Sequence, residues 1–191
     1  MKQTLLLLPL LLLFACGEPN AQTQTDEPIV GRVDAGGKLG QGPKVNEDTG
    51  RLLLRMGSAE APQNARVCLP VEATGFQDLI GFQYTMRFDS AALRFEEFRG
   101  FNLPGYGPSN FGDRFAERGY LSTLWTDANL QGQSYPDGRR LFEVCFTNLQ
   151  PAGETTEVRF ADGPTAFEVI NKDMRQMQLV YGNGAVSSVR R

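Results

Sequence analysis

The chain has 191 residues, a formal charge of −3 and no histidine, and 41% of its residues are hydrophobic. That length and composition suit one globular domain with tails, and the lack of a basic patch or Lys/Arg run argues against a nucleic-acid partner. Without histidine the commonest general base and the commonest zinc ligand are missing, so Ser-His-Asp and Cys-His chemistry are excluded.

The chain opens as an export signal. Met1-Lys2 supplies a positive start and residues 5–14, LLLLPLLLLF, form an apolar run too short for a membrane-spanning helix, which needs about 20 residues. Leu13-Phe14-Ala15-Cys16 puts a small residue before a cysteine directly after that run. This resembles the bacterial lipobox and implies removal of residues 1–15 and lipid on Cys16; the other reading is an ordinary secretory signal with an incidental cysteine. Several acyl chains at one site anchor stably where one is marginal. Gly17, in place of the aspartate associated with inner-membrane retention, points to an outer-membrane lipoprotein, periplasmic or surface-facing.

Residues 16–50 read as a flexible tether. Pro19, Pro28 and Pro43 lie among many Gly, Gln, Asn, Thr and acidic residues, a composition that buries too little apolar surface to offset ordering entropy. The folded domain is expected over 51–191. RLLLRM (51–56) is a first strand and ARVCLPV (65–71) a second, with Val67, Leu69 and Val71 on one face; Pro70 belongs at an edge or bulge. In residues 81–95, GFQYTMRFDSAALRF, the alternation of Phe82, Tyr84, Met86 and Phe88 with Gln83, Thr85 and Arg87 predicts a strand with one buried face. Each such burial is worth roughly 1.5–3 kcal/mol, which fixes the register. Leu93, Phe95 and Phe98 form a further apolar run. The Gly/Pro-rich stretch 99–115 reads as a long loop packed down through Phe101, Leu103, Tyr106 and Phe111. Strands follow at 120–126, 141–147, 155–161, 165–170, 176–181 and 185–189, with Asn183-Gly184 as a turn signal between the last two. Many short strands and no helical periodicity predict an all-β sandwich.

The order of motifs is similar to that of the cohesin domain. GFQ leads an alternating strand that ends in FDSAAL, GYLSTLWTD (119–127) matches the family's strand closing on W/F-x-D, and PDGRRLFEVCFTNL (136–149) its dG-x-LF strand. The resemblance spans about residues 51–191 and implies a jelly roll of about nine strands. It also implies a non-catalytic binding module with no cofactor, docking a dockerin-type protein domain through the sheet built on 81–88 and 120–126. On that sheet Gln83, Thr85 and Arg87 would face the partner. The parity of 120–126 is open. If Asp127 closes the strand as in the family, Leu121, Thr123 and Trp125 face the partner; the alternative is that Trp125 is core, as tryptophan usually is. Asn110 and Asp113 are candidate rim contacts or simply solvated loop residues.

Cys68 and Cys145 each lie opposite their strand's apolar set, and the resemblance makes those strands neighbours. An exported protein meets an oxidising compartment, which favours a cross-strand disulfide; two thiols acting as small hydrophobes is the alternative. A metal site is not expected. The carboxylates Glu96, Glu97, Asp127, Asp137, Glu143 and Asp162 show no pairing of the kind glycosidases use. A second functional reading is a carbohydrate-binding module for polysaccharide, with Trp125 and Tyr120, Tyr106 or Tyr135 as a sugar-stacking strip.

Overall fold

The computed structural model describes residues 27–34, 36–45 and 49–191. The export signal and Cys16 lie outside the described residues.

Fourteen strands are present among them: β1 (Ile29–Val30), β2 (Leu39–Gln41), β3 (Arg51–Met56), β4 (Ala59–Pro62), β5 (Arg66–Thr74), β6 (Leu79–Arg87), β7 (Leu93–Arg99), β8 (Phe111–Gly112), β9 (Tyr120–Thr126), β10 (Arg139–Asn148), β11 (Thr155–Ala161), β12 (Glu168–Asn171), β13 (Gln178–Gly182) and β14 (Gly184–Val189). Nine have five or more residues. They form two sheets packed as a β-sandwich. One runs β2-β13-β3-β5-β10-β7, with β1 beside β5; the other runs β4-β14-β11-β6-β9-β8, with β12 beside β6.

Alternation builds the core between the sheets. Leu52, Leu54 and Met56 of β3, Val67, Leu69 and Val71 of β5, and Phe142, Val144 and Phe146 of β10 meet Phe82, Tyr84 and Met86 of β6 and Val158 and Phe160 of β11. The long loop after β7 is packed down as expected: Leu103 and Tyr106 are buried, and Phe111 stacks on Phe98 at 4.0 Å between ring centroids. Gly119 ends this loop at φ +75°, where a Cβ would lie 2.1 Å from the Phe88 carbonyl oxygen, so no side chain fits.

Three features depart from the sequence reading. First, part of the expected tether is paired: β1 runs parallel to β5 with Val30 opposite Cys68, and β2 adds to the edge of β13. Edge pairing uses main-chain groups, so a polar, Pro-containing segment can supply it without an apolar pattern. Second, Asn183-Gly184 is not a hairpin turn. β13 belongs to one sheet and β14 to the other, and Asn183 forms the corner by accepting the Phe160 N–H at 3.1 Å and donating to Glu157 at 2.9 Å. Third, β6 begins at Leu79 with an irregularity. The β12 register steps from Ile170↔Gly81 to Asn171↔Leu79 and skips Ile80. Leu79 therefore joins the core while Ile80 turns to the opposite face.

Cys68 and Cys145 are directly paired across β5 and β10, with Cα atoms 4.0 Å apart, and are joined as a disulfide.

Candidate functional site

The outer face of β6, β9 and β12 is set by their register. Gln83 stands opposite Leu124, Thr85 opposite Ser122 and Arg87 opposite Tyr120, with Glu168 beside Gln83 on the other flank. The same register puts Trp125 beside Phe82, Thr123 beside Tyr84 and Leu121 beside Met86, all on the core side. Trp125 is 1% exposed, stacks on Phe82 at 5.4 Å and donates its Nε1–H to the Pro104 carbonyl at 2.9 Å. Thr123 is hydrogen-bonded to the Tyr106 hydroxyl at 2.6 Å. The assignment of Leu121, Thr123 and Trp125 to the partner-facing side is therefore corrected, because pairing with β6 decides the parity that their own sequence leaves open. The outward residues of β9 are Tyr120, Ser122, Leu124 and Thr126.

Of the three β6 residues expected on this face, Gln83 and Arg87 are partly exposed and Thr85 is not. Thr85 points outward but lies under the 162–167 loop. Its hydroxyl donates to the Thr165 carbonyl and accepts the Thr165 N–H, each at 2.9 Å. Asn110 does not reach out either: it donates to the Leu124 carbonyl at 2.9 Å and accepts the Gly107 N–H. Asp113 is exposed.

The face instead carries an apolar hollow of about 200 Å³. Ile80, Leu124, Ile170 and Met174 supply its apolar walls, with Gln83, Thr126 and Glu168 at the rim. Leu124 is 50% exposed and Met174 73%. Met174 sits at φ +59°, a left-handed conformation rare for a bulky side chain. Its hairpin is held by Asn171, whose side-chain oxygen accepts the N–H groups of Asp173 and Arg175 at 3.1 and 3.0 Å, and by the Lys172–Asp78 ion pair at 3.0 Å. Below the hollow, Asp127 holds the turn that follows β9. Burial alone would push its carboxyl up, but hydrogen bonds from the N–H groups of Asn129, Gly132 and Gln131 and from the Gln133 side chain outweigh that and hold it below the usual carboxylate range. Sequence reasoning missed Ile80, Leu124, Ile170 and Met174. The available signal was the adjacent pair Leu79-Ile80 ahead of Gly81, which breaks the period of two.

The carboxylates raised as acid–base candidates are bonded within the fold. Glu96 is held by Thr147 and Arg94, Glu97 by Arg66, and Glu143 by both Arg99 and Arg140 at 2.9 Å. Asp137 accepts the Gly75 N–H at 2.8 Å and Asp162 the Phe167 N–H at 2.7 Å. The aromatics of the sugar-binding reading are likewise engaged. Trp125 and Tyr106 are buried, the Arg87 guanidinium covers Tyr120 at 4.4 Å, and Arg139 covers Tyr135 at 4.7 Å.

No protein-family model matches the sequence, and no curated protein resembles it in sequence. Solved structures do match in shape. A type I cohesin in a cohesin–dockerin complex from Clostridium thermocellum superimposes with a TM-score of 0.61 at 14% identity, over 73% of this chain and 99% of that one. The sixth cohesin of scaffoldin B from Acetivibrio cellulolyticus, in complex with a dockerin, gives 0.60 at 20% identity, over 73% and 99%. A non-cellulosomal cohesin from the archaeon Archaeoglobus fulgidus gives 0.53 at 19%, over 73% and 92%. This is the cohesin fold. Within the cohesin fold, the hollow lies on the sheet that the sequence resemblance marks for recognition, and it is walled by residues other than those the resemblance singled out.

Proposed function

We propose that the chain is a non-catalytic protein-docking module that binds a dockerin-type or similar protein domain across the outer face of β6, β9 and β12. The observation that carries this reading is the hollow formed by Ile80, Leu124, Ile170 and Met174 on the face of a cohesin fold. Leu124 and Met174 are held out toward solvent there, Met174 in a disfavoured backbone conformation, over a buried Ile80, and concave apolar sites of this kind take a partner's anchor residue. Two of the cohesins it superimposes on were solved with dockerins. The polysaccharide reading is weaker because its candidate rings are buried or covered by arginine. We further propose that Cys16 is acylated and tethers the domain to the outer membrane, a reading supported by the sequence features of residues 1–17: the positive start, the apolar run, Leu13–Cys16 and Gly17.

Photo-crosslinking in the source cells tests the docking reading. A photoreactive residue at position 124 should give a discrete protein adduct, lost on Met174→Asp, whereas one at position 97 on the opposite sheet should not. Equal labelling from both positions, or retention of the chain by polysaccharide in affinity electrophoresis, would refute it.

A further inference from the structure

The end of the same face away from the hollow carries unbalanced positive charge. Arg159 and Arg87 are direct partners across β11 and β6, and both are on the outer face. Like charges placed directly opposite each other destabilise a sheet. Arg87 lies over Tyr120, and Arg114 and Arg118 flank Phe115, which is 46% exposed. Arg87, Arg118, Phe115 and Tyr120 line a cleft of about 450 Å³, closed on one side by Gly163-Pro164. Its one carboxylate, Asp162, accepts the Phe167 N–H and forms no ion pair among the described residues, so the lining sets two guanidinium groups against one carboxylate. Glu117, on the same turn as Arg118, lines a separate hollow with Ser90, Leu93 and Arg94. Ion pairs among the described residues use Arg66, Arg94, Arg99, Arg140 and Lys172, and none uses Arg87, Arg114, Arg118 or Arg159. On the other sheet Arg66, Arg94, Arg99 and Arg140 are held in ion pairs, in a chain whose formal charge is negative; the four arginines at this end of the docking face are in none.

We infer that the partner is an acidic protein surface, whose carboxylates enter the arginine cleft while an aliphatic side chain fills the hollow. The inference rests on the docking reading above and adds the partner's chemistry. Guanidinium groups left without counter-ions match carboxylates, which they bind through two parallel hydrogen bonds. The two sites are four residues apart along β9, from Leu124 to Tyr120, which is about 13 Å at strand rise. The partner must therefore present its apolar anchor and its carboxylates at about that separation. An acidic glycan would satisfy the arginines but not the hollow, and the Tyr120 ring on which it would stack is occupied by Arg87.

The test uses the full chain and two synthetic peptides, each carrying a leucine anchor and, about 13 Å away, either glutamates or lysines. NMR follows the methyl groups of Ile80, Leu124 and Ile170 and the Nε–H groups of Arg87 and Arg118. The glutamate peptide should shift both sets of signals and weaken at least about tenfold as added salt shortens the Debye length from about 10 Å to about 3 Å. The lysine peptide should not bind. Replacing the exposed residues with Arg118→Glu and Arg159→Glu should reverse the preference, with a thermal unfolding midpoint no lower than that of the native chain as the check on folding. Equal binding of both peptides, or a preference untouched by charge reversal, would overturn the acidic-partner inference and leave docking at the hollow standing. Silence of the methyl signals with both peptides, together with cross-linking from position 124 that Met174→Asp does not affect, would bring down the docking reading and the inference with it. Polygalacturonate shifting the arginine signals as strongly as the glutamate peptide, with the methyl groups silent, would assign the cleft to an acidic glycan and overturn the protein partner.

Discussion

Leu124 and Trp125 are neighbours on β9 with opposite fates, and substituting each in turn tests the parity on which the site depends. Trp125 is enclosed by Phe76 and Phe82, at 5.7 and 5.4 Å between ring centroids, and its Nε1–H fixes the Pro104 carbonyl of the long loop. Trp125→Ala removes that packing and leaves a cavity, a change that costs roughly 3–5 kcal/mol. Against a total stability of about 5–15 kcal/mol for a domain, that takes the fold to the margin. Trp125→Phe keeps a ring but orphans the Pro104 carbonyl, for about 1–3 kcal/mol, and should expose residues 99–110 to proteolysis. Leu124→Asp changes a half-exposed side chain and should stay within about 0.5 kcal/mol of wild type while abolishing the shifts that the glutamate peptide induces in the Ile80 and Ile170 methyl groups. Urea unfolding followed by circular dichroism measures all three. The native protein's tryptophan emission, which reports Trp125 alone, should be blue-shifted and resistant to iodide. A Trp125→Ala cost below about 1 kcal/mol, or native emission quenched by iodide, would refute the inward assignment.

Three further outcomes are expected. Replacing Cys68 and Cys145 together by alanine should lower stability by about 4–5 kcal/mol in the chain-entropy treatment of a closed loop of 77 residues, read by urea unfolding with and without reductant. Asp127 is held below its unfolded value near about 3.9, so its contribution is complete above that pH and is lost as the pH falls through the lower folded value. Protection factors of the amides in 127–133, taken against the unstructured exchange rate at each pH, should therefore fall on acidification, and Asp127→Asn should remove that fall. Cys16→Ser should move the chain from the membrane to the soluble fraction, and detergent-sensitive membrane association of that variant would contradict the anchor.

Where one residue set was clearly apolar and the other clearly polar, the sequence could be read to the residue. Residues 51–56, 120–126 and 155–161 coincide with β3, β9 and β11, and Phe82, Tyr84 and Met86 are core. The face of β9 was not legible in that way, because YLSTLWT places polar and apolar residues in both alternating sets. Only its register against Phe82 and Tyr84 resolves it, and register between strands 40 residues apart is a tertiary property. The hollow was hidden for a related reason. Ile80 turns outward only because β12 skips it, and Met174 reads in sequence as an ordinary residue of a polar turn. The edge strands β1 and β2 left no side-chain pattern because their pairing is main-chain.

The disulfide has a mechanical consequence. Cys68 and Cys145 close a covalent ring that contains β6, β7, β8 and β9, and with them Ile80, Leu124, Arg87 and Arg118. Tension applied between the two ends of the chain enters at β5, crosses the sulfur atoms to β10 and leaves without stretching the segment between. A single-molecule pull on the oxidised protein should release about 250–280 Å less contour than the reduced protein, the length of the 77-residue detour. Most of the proposed docking face is thereby insulated from traction applied at the ends of the chain, while β12 and its Met174 hairpin stay on the stretched path.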